Sequence, residues 1–155
     1  MKKSAQSVQT ALDEAGVNCA VVELPASTRS ASEAAAAIGC DAAQIVKSLI
    51  FRAIDSGKPI LVLAAGHNRV DEKKVAQALG ESIEKSSAAF VKEMSGFAIG
   101  GVPPIGHKTP MACFIDRDLQ GTLWAAAGTQ HAVFEIAAER LTELSGGQVI
   151  ELATS

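Results

Sequence analysis

Two parts of this chain carry residue types that can act on a carbonyl group: the segment from Gly96 to Pro110, and Lys47 within an apolar run. The segment holds four of the 13 glycines and three of the 5 prolines, yet it also contains Phe97 and Ile99, which a solvated linker does not need. Glycines let the backbone approach another group closely, and consecutive prolines stiffen the chain. The composition therefore predicts a shaped, partly buried loop.

The backbone amides of this loop are its candidate chemistry. Fixed amides that point at one spot can bind an anion, or stabilise the oxyanion that forms when an ester is attacked. The amides predicted to be available are those of Gly100, Gly101, Val102, Ile105 and Gly106. His107 adds a titratable group at the end of the loop. A rigid connection between two elements would use the same residues, so the loop alone leaves both interpretations open.

Lys47 lies in a segment, residues 44–54, whose apolar composition predicts a β-strand. Because side chains alternate along a strand, Lys47 shares its face with four apolar residues, whereas Ser48 points to the opposite face. The apolar residues on its face are Ile45, Leu49, Phe51 and Ala53. An amine in such surroundings is costly unless it reaches water, a partner group or a ligand. Either it extends to solvent at the rim of the sheet or it serves a binding site.

The elements that must position these residues are predicted from hydrophobic period and capping residues. Residues 44–54 and 60–65, separated by the turn 55–59, predict an antiparallel hairpin. The second strand is apolar on both faces, so the hairpin is expected to lie centrally in its sheet. Helices are predicted at residues 4–15, 30–38, 71–79, 87–94 and 137–144. Further strands are predicted at residues 17–24, 111–115, 123–126, 132–136 and 149–152.

Composition favours one soluble domain and excludes several classes of protein. The 155 residues suffice for a single core, so residues 1–155 are interpreted as one domain. With only 4% aromatic residues and a net charge of -3, the chain offers no stacking platform for single strands and no surface for coating nucleic acid. It can still contact one end of a nucleic acid. No apolar stretch reaches membrane-spanning length, and we expect a cytoplasmic protein.

Familiar catalytic and metal-binding motifs are absent from the sequence. There is no Ser-His-Asp motif, P-loop or dinucleotide fingerprint. The three cysteines are widely spaced among apolar residues, which indicates reduced thiols rather than a disulfide framework or a metal site. They are Cys19, Cys40 and Cys113. His67, His107 and His131 are too far apart in sequence to predict a metal site.

Taken in order, the motifs resemble the YbaK/prolyl-tRNA synthetase-associated editing domain family. The resemblance extends from about residue 30 to the end, and its most specific part is the lysine strand followed by the glycine-to-proline loop. The matching fragments are Gln44–Phe51, Ala65–Gly66, Val70–Asp71, Lys74, Ala78–Gly80, Ser95–Phe97, Gly100–His107, Ile115–Asp116 and Ala127–Gly128.

The resemblance implies an α+β fold, in which a single domain has a curved mixed or antiparallel β-sheet, barrel-like and surrounded by helices. It also implies a free-standing hydrolase that removes a wrong amino acid from tRNA, often tRNA for proline, without a metal or organic cofactor. In this family the lysine matched by Lys47 contacts the end of the substrate. The loop matched by Gly100 to Pro104 surrounds the scissile carbonyl.

On this basis we predict a catalytic and a binding set. Lys47 positions the tRNA end or the carbonyl by its charge, because a lysine stays protonated unless strongly desolvated. Amides near Gly100 and Gly101 stabilise the tetrahedral intermediate, water is the nucleophile, and His107 is either an acid/base or a structural hydrogen-bond partner. The predicted substrate-binding residues are Ser48, Val102, Pro104, Ile105, Gly106 and Gly128. Ser48 stands where some alanine-editing relatives carry asparagine, and it would need a bend in the strand to reach a ligand.

The expected partner is the acceptor end of an aminoacyl-tRNA, with prolyl-tRNA synthetase or an elongation factor supplying further contacts, and no membrane. Four lysines are candidates for phosphate contacts or are ordinary surface charges: Lys73, Lys74, Lys85 and Lys92. Two other functions stay open. One is a noncatalytic module that binds aminoacyl ends or a synthetase, and the other is a carboxylate-binding protein that uses the same lysine and amides.

Overall fold

A computed structural model describes residues 1–155. The five α-helices are Lys3–Glu14 (α1), Ala31–Ile38 (α2), Glu72–Leu79 (α3), Ala88–Ser95 (α4) and Ala138–Ser145 (α5). The strands are Val21–Glu23 (β1), Ile45–Ala53 (β2), Pro59–Ala65 (β3), Ile83–Lys85 (β4), Ala112–Asp116 (β5), Thr122–Ala126 (β6), Ala132–Ala137 (β7) and Gln148–Ile150 (β8). All predicted elements are present, and β4 is a further strand that the sequence analysis did not predict.

Helices α2, α3 and α4 begin and end at residues that their sequences offer as caps. The Ser30 hydroxyl accepts a hydrogen bond from the amide of Glu33 at the start of α2, and the Asp71 carboxylate accepts one from Lys73 at the start of α3. At the end of α3, Gly80 takes the left-handed conformation with φ 93°, which favours glycine. None of the helices is long and apolar enough to cross a membrane.

The strands form one 8-stranded mixed sheet in the order β1-β7-β6-β2-β3-β5-β8, with β4 paired to β2. The pairs β2–β3, β6–β7, β1–β7 and β2–β4 are antiparallel, whereas β2–β6, β3–β5 and β5–β8 are parallel. The predicted α+β fold with a mixed sheet is therefore confirmed. The expectation of a barrel-like sheet needs correction, because β1 and β8 end the order as separate edges and the sheet is not closed.

The predicted hairpin of β2 and β3 lies at the centre of the sheet. All seven residues of β3 are buried. Along one edge β2 pairs with β3 from Val46 to Arg52 in a regular register. Along its other edge it pairs with β6 only at Ile45 and Val46, and with β4 only from Phe51 to Ala53. The stretch 47–50 of that edge has no strand partner.

The two faces of β2 pack into different hydrophobic clusters, as the alternation predicts. Val46 and Ile50 join a large cluster with α1, β6 and β7. Phe51 and Ala53 join a smaller cluster with α3 and the other face of β3. Lys47 belongs to the face of Phe51, and it leaves the strand where the edge is unpaired.

Candidate functional site

A cavity of about 210 Å³, the first cavity, lies between β2 and a wall formed by the segment before α2, the Gly100 loop, β6 and β7. Lys47 and Ser48 line it from β2, and Gly100 and Val102 line it from the loop. The fold therefore brings the predicted lysine and the predicted glycine-proline loop to one place. Since the edge of β2 that faces away from β3 has no strand partner between residues 47 and 50, residues of both faces of β2 border the cavity, and Ser48 does so without a bulge.

The Lys47 amine is held at the border of this cavity by the loop after β3. Its Nζ donates a hydrogen bond to the backbone carbonyl of Asn68. Burial lowers the pKa of the Lys47 amine below its usual 10.5, and the charge of the Asp116 carboxylate opposes that shift. Lys47 is half-buried, and it makes no ion pair with a carboxylate within 4 Å. Its charge is thus available to a ligand.

A buried carboxylate fixes the loop that holds Lys47. Asp116 is 1% exposed and accepts hydrogen bonds from the Ala65 amide at 3.0 Å, from Asn68 Nδ2 at 2.9 Å and from the Asp118 amide at 2.9 Å. Asn68 Nδ2 also donates to Asp118 Oδ2 at 2.8 Å. Neither Asn68 nor Asp116 has a role that was predicted from the sequence. The one available signal is the position of Asp116 at the end of an otherwise apolar strand.

Gly100 and Val102 line the first cavity, and their backbone amides make no hydrogen bond within the protein. The Gly101 amide was also a predicted donor, but it is not available because it donates to the carbonyl of Ala98 at 3.0 Å. The amides of Ile105 and Gly106 are also unpaired, but neither residue lines the cavity. The geometry therefore reduces the candidate oxyanion donors to Gly100 and Val102.

Gly101 and Gly128 serve contacts between backbones rather than the cavity wall. The Gly128 amide donates to the Gly101 carbonyl at 2.8 Å. A Cβ at Gly101 would lie 3.0 Å from the backbone of Gly128 and Thr129, and one at Gly128 would lie 2.5 Å from the Ser4 carbonyl oxygen. Gly128 has φ 94° and lies against α1, so its place in the fold is explained without a ligand.

The end of the loop lies outside the first cavity and is held by a hydrogen bond within the loop itself. Pro104, Ile105, Gly106 and His107 do not line the cavity. His107 Nε2 lies 2.6 Å from the carbonyl oxygen of Pro103, so this nitrogen carries the proton that it donates. Burial lowers the pKa of the His107 imidazole from 6.5, and the bond to Pro103 opposes the shift. This contact corresponds to the structural alternative for His107.

Two hydroxyl groups of the cavity wall lack hydrogen-bond partners. Thr28, which is 6% exposed, and Ser48 both line the first cavity, and the Oγ1 and Oγ atoms of these residues are buried without a partner. A buried unpaired hydroxyl is uncommon and costs free energy. Thr28 was not predicted as a site residue, because nothing in the local sequence distinguishes it from a turn residue.

A second cavity of about 690 Å³ shares Lys47 and Leu49 with the first. It extends along β2 through Leu49 and Phe51 and is bordered by the loop after β3 and the start of α3. Basic side chains border it as well, namely Lys47, His67, Arg69, Lys73 and Lys85. No group of three or more His, Cys, Asp and Glu side chains is arranged to hold a metal ion anywhere in the chain.

Residues 25–144 match the family model described as "Aminoacyl-tRNA editing domain". Over 148 residues the chain is 32% identical to the uncharacterized protein YwhH of Bacillus subtilis (strain 168), and the match covers 94% of each chain. It is 27% identical over 128 residues to a protein of Enterococcus faecalis (strain ATCC 700802 / V583) named "Putative Cys-tRNA(Pro)/Cys-tRNA(Cys) deacylase EbsC", covering 81% of this chain and 77% of that one.

A solved structure described as "a putative trans-editing enzyme for prolyl tRNA synthetase" has the same fold. It superimposes with a TM-score of 0.94 at 44% sequence identity, over 100% of this chain and 99% of the other. The two proteins are therefore similar in amino-acid sequence as well as in fold.

Proposed function

Since the chain belongs to the aminoacyl-tRNA editing domain family, we propose that it is a free-standing deacylase that hydrolyses the ester between a tRNA and a wrongly attached amino acid. For the substrate we propose tRNA for proline carrying a small non-cognate amino acid, in line with the relatives named for Cys-tRNA(Pro) and for prolyl tRNA synthetase. The observation that carries the proposal is that Lys47, Gly100 and Val102 line one cavity, while the amides of Gly100 and Val102 have no hydrogen-bond partner in the protein.

In the proposed reaction a water molecule attacks the carbonyl carbon of the ester. The carbonyl oxygen takes the negative charge and is stabilised by the amides of Gly100 and Val102, each worth about 2.7 to 4 kcal/mol of barrier in comparable sites. The intermediate then breaks its bond to the ribose oxygen, which receives a proton that water gave up. Lys47, protonated at neutral pH, holds the substrate end and adds favourable charge.

The dimensions of the first cavity favour a small amino acid. About 210 Å³ leaves room for a short side chain beside the ester group. The wall is mostly apolar, and one methylene more or less in such a pocket changes binding by about 1 to 3 kcal/mol. Selection against larger amino acids therefore needs only the shape of the pocket, whereas selection among small ones needs the polar groups of the wall.

A second candidate is a noncatalytic module that binds an aminoacyl end. The observation that favours it is the place of His107, the one predicted side-chain acid/base, which lies outside the cavity and is bonded to Pro103. Under this candidate the cavity holds the ester without turning it over.

Deacylation of tRNA for proline charged with alanine, cysteine, serine, threonine or proline tests the proposal. We expect rapid loss of at least one small non-cognate amino acid, with proline spared. Lys47→Ala is expected to lower kcat/KM by about 100-fold or more, since it removes charge at the reacting ester. Lys58→Ala is the matched control, because Lys58 is exposed and lines neither the first nor the second cavity. No turnover of any ester, combined with binding of a charged tRNA, would support the noncatalytic module instead.

A further inference from the structure

The two cavities are neighbours that share the lining residues Lys47 and Leu49, and only the first is needed for the ester. We propose that the second cavity binds the single-stranded 3′ end of an RNA through its phosphates, with the aminoacyl ester passing Lys47 into the first cavity. This inference rests on the proposed function for its direction, because the ester lies at the terminus of the RNA. The second cavity, called the groove from here on, is defined by its own lining residues.

The floor of the groove is one face of β2. Lys47, Leu49 and Phe51 alternate along the strand, so all three point to the same side, and all three line the second cavity. From Lys47 to Phe51 the strand advances by about 13 Å, at the usual rise per residue. At the far end, β4 pairs Lys85 opposite Phe51. The groove therefore extends from Lys47, where the ester would lie, to a second cation, Lys85.

The cations that border the groove are free of ion pairs. Arg69, Lys73 and Lys85 are exposed and make no salt bridge, whereas Arg52, Lys74, Arg117 and Arg140 each pair with a glutamate elsewhere. Two carboxylates also border the groove. Asp71 uses an oxygen to accept the amide of Lys73 at the start of α3, and Glu72 follows it on the helix. Unpaired positive charge thus exceeds negative charge in a protein whose net charge is -3.

The four lysines that were predicted as candidates for phosphate contacts fall into two pairs, of which only one borders the groove. Lys73 and Lys85 border the groove. Lys74 instead donates to Glu151 and to the carbonyl of Ala153, and Lys92 donates to the carbonyl of Gly96. Only the first pair is placed to follow a strand that leaves the ester. With few aromatic groups available for stacking, the contacts bind phosphates and tolerate different bases.

The groove is tested by binding, which needs no hydrolysis. The probe is a labelled, uncharged RNA hairpin with a four-nucleotide single-stranded 3′ end, titrated with the intact protein by fluorescence anisotropy over a series of salt concentrations. For Lys73→Glu/Lys85→Glu we expect the dissociation constant to rise about tenfold or more, because each reversal opposes a phosphate. The slope of log K against log salt should fall by about 0.7 for each lost contact.

Lys3→Glu/Lys58→Glu is the matched control, with the same change of charge at exposed positions outside both cavities. It is expected to bind the hairpin within about twofold of the unchanged protein. The proposal is overturned if the control weakens binding as much as the groove variant, if the groove variant binds like the unchanged protein, or if the unchanged protein fails to bind the hairpin at low salt. A hairpin that lacks the single-stranded end and binds equally well would overturn it too.

Hydrolysis separates this inference from the proposed function. A charged tRNA is compared with an aminoacyl ester of adenosine, which has no phosphates. The groove variant should lose at least about tenfold more kcat/KM on the tRNA than on the adenosine ester. Equal losses on both substrates would overturn the groove while leaving the deacylase intact. If the unchanged protein hydrolyses neither ester, the deacylase fails, and the binding experiment still decides the groove.

Discussion

The Lys47 amine donates a hydrogen bond to the backbone carbonyl of Asn68, and the side chain of Asn68 is held by Asp116 and Asp118. Asp116 is anchored in turn to the amide of Ala65 at the end of β3. Neither carboxylate lies within salt-bridge distance of the lysine. The place of the lysine amine is therefore set by side chains that do not touch it.

Removing the side chain of Asn68 tests this arrangement. Asn68→Ala breaks hydrogen bonds to two carboxylates, each worth about 1.5 to 3 kcal/mol when charged groups are involved. We expect kcat for deacylation to fall by about tenfold with a smaller change in KM, because a displaced amine fails mainly in the transition state. Asn18→Ala, at an exposed position without side-chain hydrogen bonds, is the control and should match the unchanged protein. A kcat for Asn68→Ala equal to that of the control would contradict the positioning role.

The pKa of Lys47 offers a second test. Burial lowers it below 10.5 and Asp116 raises it, so Asp116→Asn should lower the Lys47 pKa further. An NMR titration of the lysine side-chain carbons measures the midpoint in both proteins. Asp118→Asn is the control, because the charge of Asp118 is not a cause of the shift. An unchanged or higher midpoint in Asp116→Asn would show that the charge of Asp116 does not act on the amine.

The same shift has a consequence for stability with a definite sign. The Lys47 pKa is lower in the folded protein than in the unfolded chain, so between the two values the unfolded chain binds more protons. The contribution of Lys47 to the free energy of unfolding therefore rises with pH through that window below 10.5. This contribution is measured by comparing the pH dependence of urea unfolding for the unchanged protein and Lys47→Met. The free energy of unfolding should rise less with pH in the mutant.

His107 provides a third prediction. His107→Gln keeps a donor that can reach the carbonyl of Pro103, whereas His107→Ala does not. We expect the glutamine variant to retain most of its deacylation activity and the alanine variant to lose about 1 kcal/mol of stability. If His107 were the acid/base, both variants would lose activity equally.

Acid should also act on stability through His107. Its pKa is lower in the folded state, so the unfolded chain binds more protons between that value and 6.5. Stability is therefore lost as the pH falls through this window, and His107→Gln should lose less than the unchanged protein. Urea unfolding measured at several pH values between neutral and mildly acidic provides the check.

The contact between Gly128 and α1 gives a fourth prediction. Gly128→Ala would place a Cβ 2.5 Å from the Ser4 carbonyl oxygen, and we expect it to lower the free energy of unfolding by about 1 to 3 kcal/mol through overpacking. Gly16→Ala is the matched control, since Gly16 is also left-handed but a Cβ there meets nothing within 4 Å. The difference between the two variants in urea unfolding isolates the contact from the strain of the backbone. If both variants lost the same free energy of unfolding, the backbone at Ser4 would be able to move away from the added Cβ without cost.

The unpaired hydroxyl of Thr28 gives a fifth prediction. Thr28→Val keeps the shape of the side chain and removes a buried hydroxyl that has no partner, so we expect stability to stay equal or to rise by about 1 kcal/mol. Thr142→Val is the control, because the Thr142 hydroxyl donates to the carbonyl of Ala138 and its removal should be destabilising. A loss of stability in Thr28→Val would show that the hydroxyl is bonded in solution.

Much of the fold could be predicted from the sequence because the local signals were strong. Capping residues before α2 and α3, the apolar run of β3 and the alternation of β2 each predicted the element that the structure has. β4 was missed because its three residues, Ile83–Lys85, carry only one apolar side chain and are a strand through pairing with β2. Barrel-like closure could not be judged, since it depends on whether two distant edges pair.

The candidate site was predictable in its parts but not in its geometry. The type and context of Lys47 pointed to a special position, and the composition of the Gly100 loop pointed to amides. Which amides are free depends on the contacts of Gly101 with Ala98 and Gly128, which no local pattern encodes. The role of Asn68 depends on a carboxylate from another strand, and it became visible only in three dimensions.

Because residues 47–50 of β2 are unpaired along one edge, the two edges of this strand differ in how firmly they are held. On the side of the cavity wall, β2 is joined to β6 by the pairs Ile45–Trp124 and Val46–Ala125 alone, whereas β3 accompanies it along nearly its whole length. The width of the cavity is thus set where the fewest ladder hydrogen bonds must change. Substitutions at this short seam can therefore change the width of the cavity while Lys47 and the Gly100 loop stay as they are. Under the proposed function, such substitutions would change which amino acid fits without altering the residues that act on the ester.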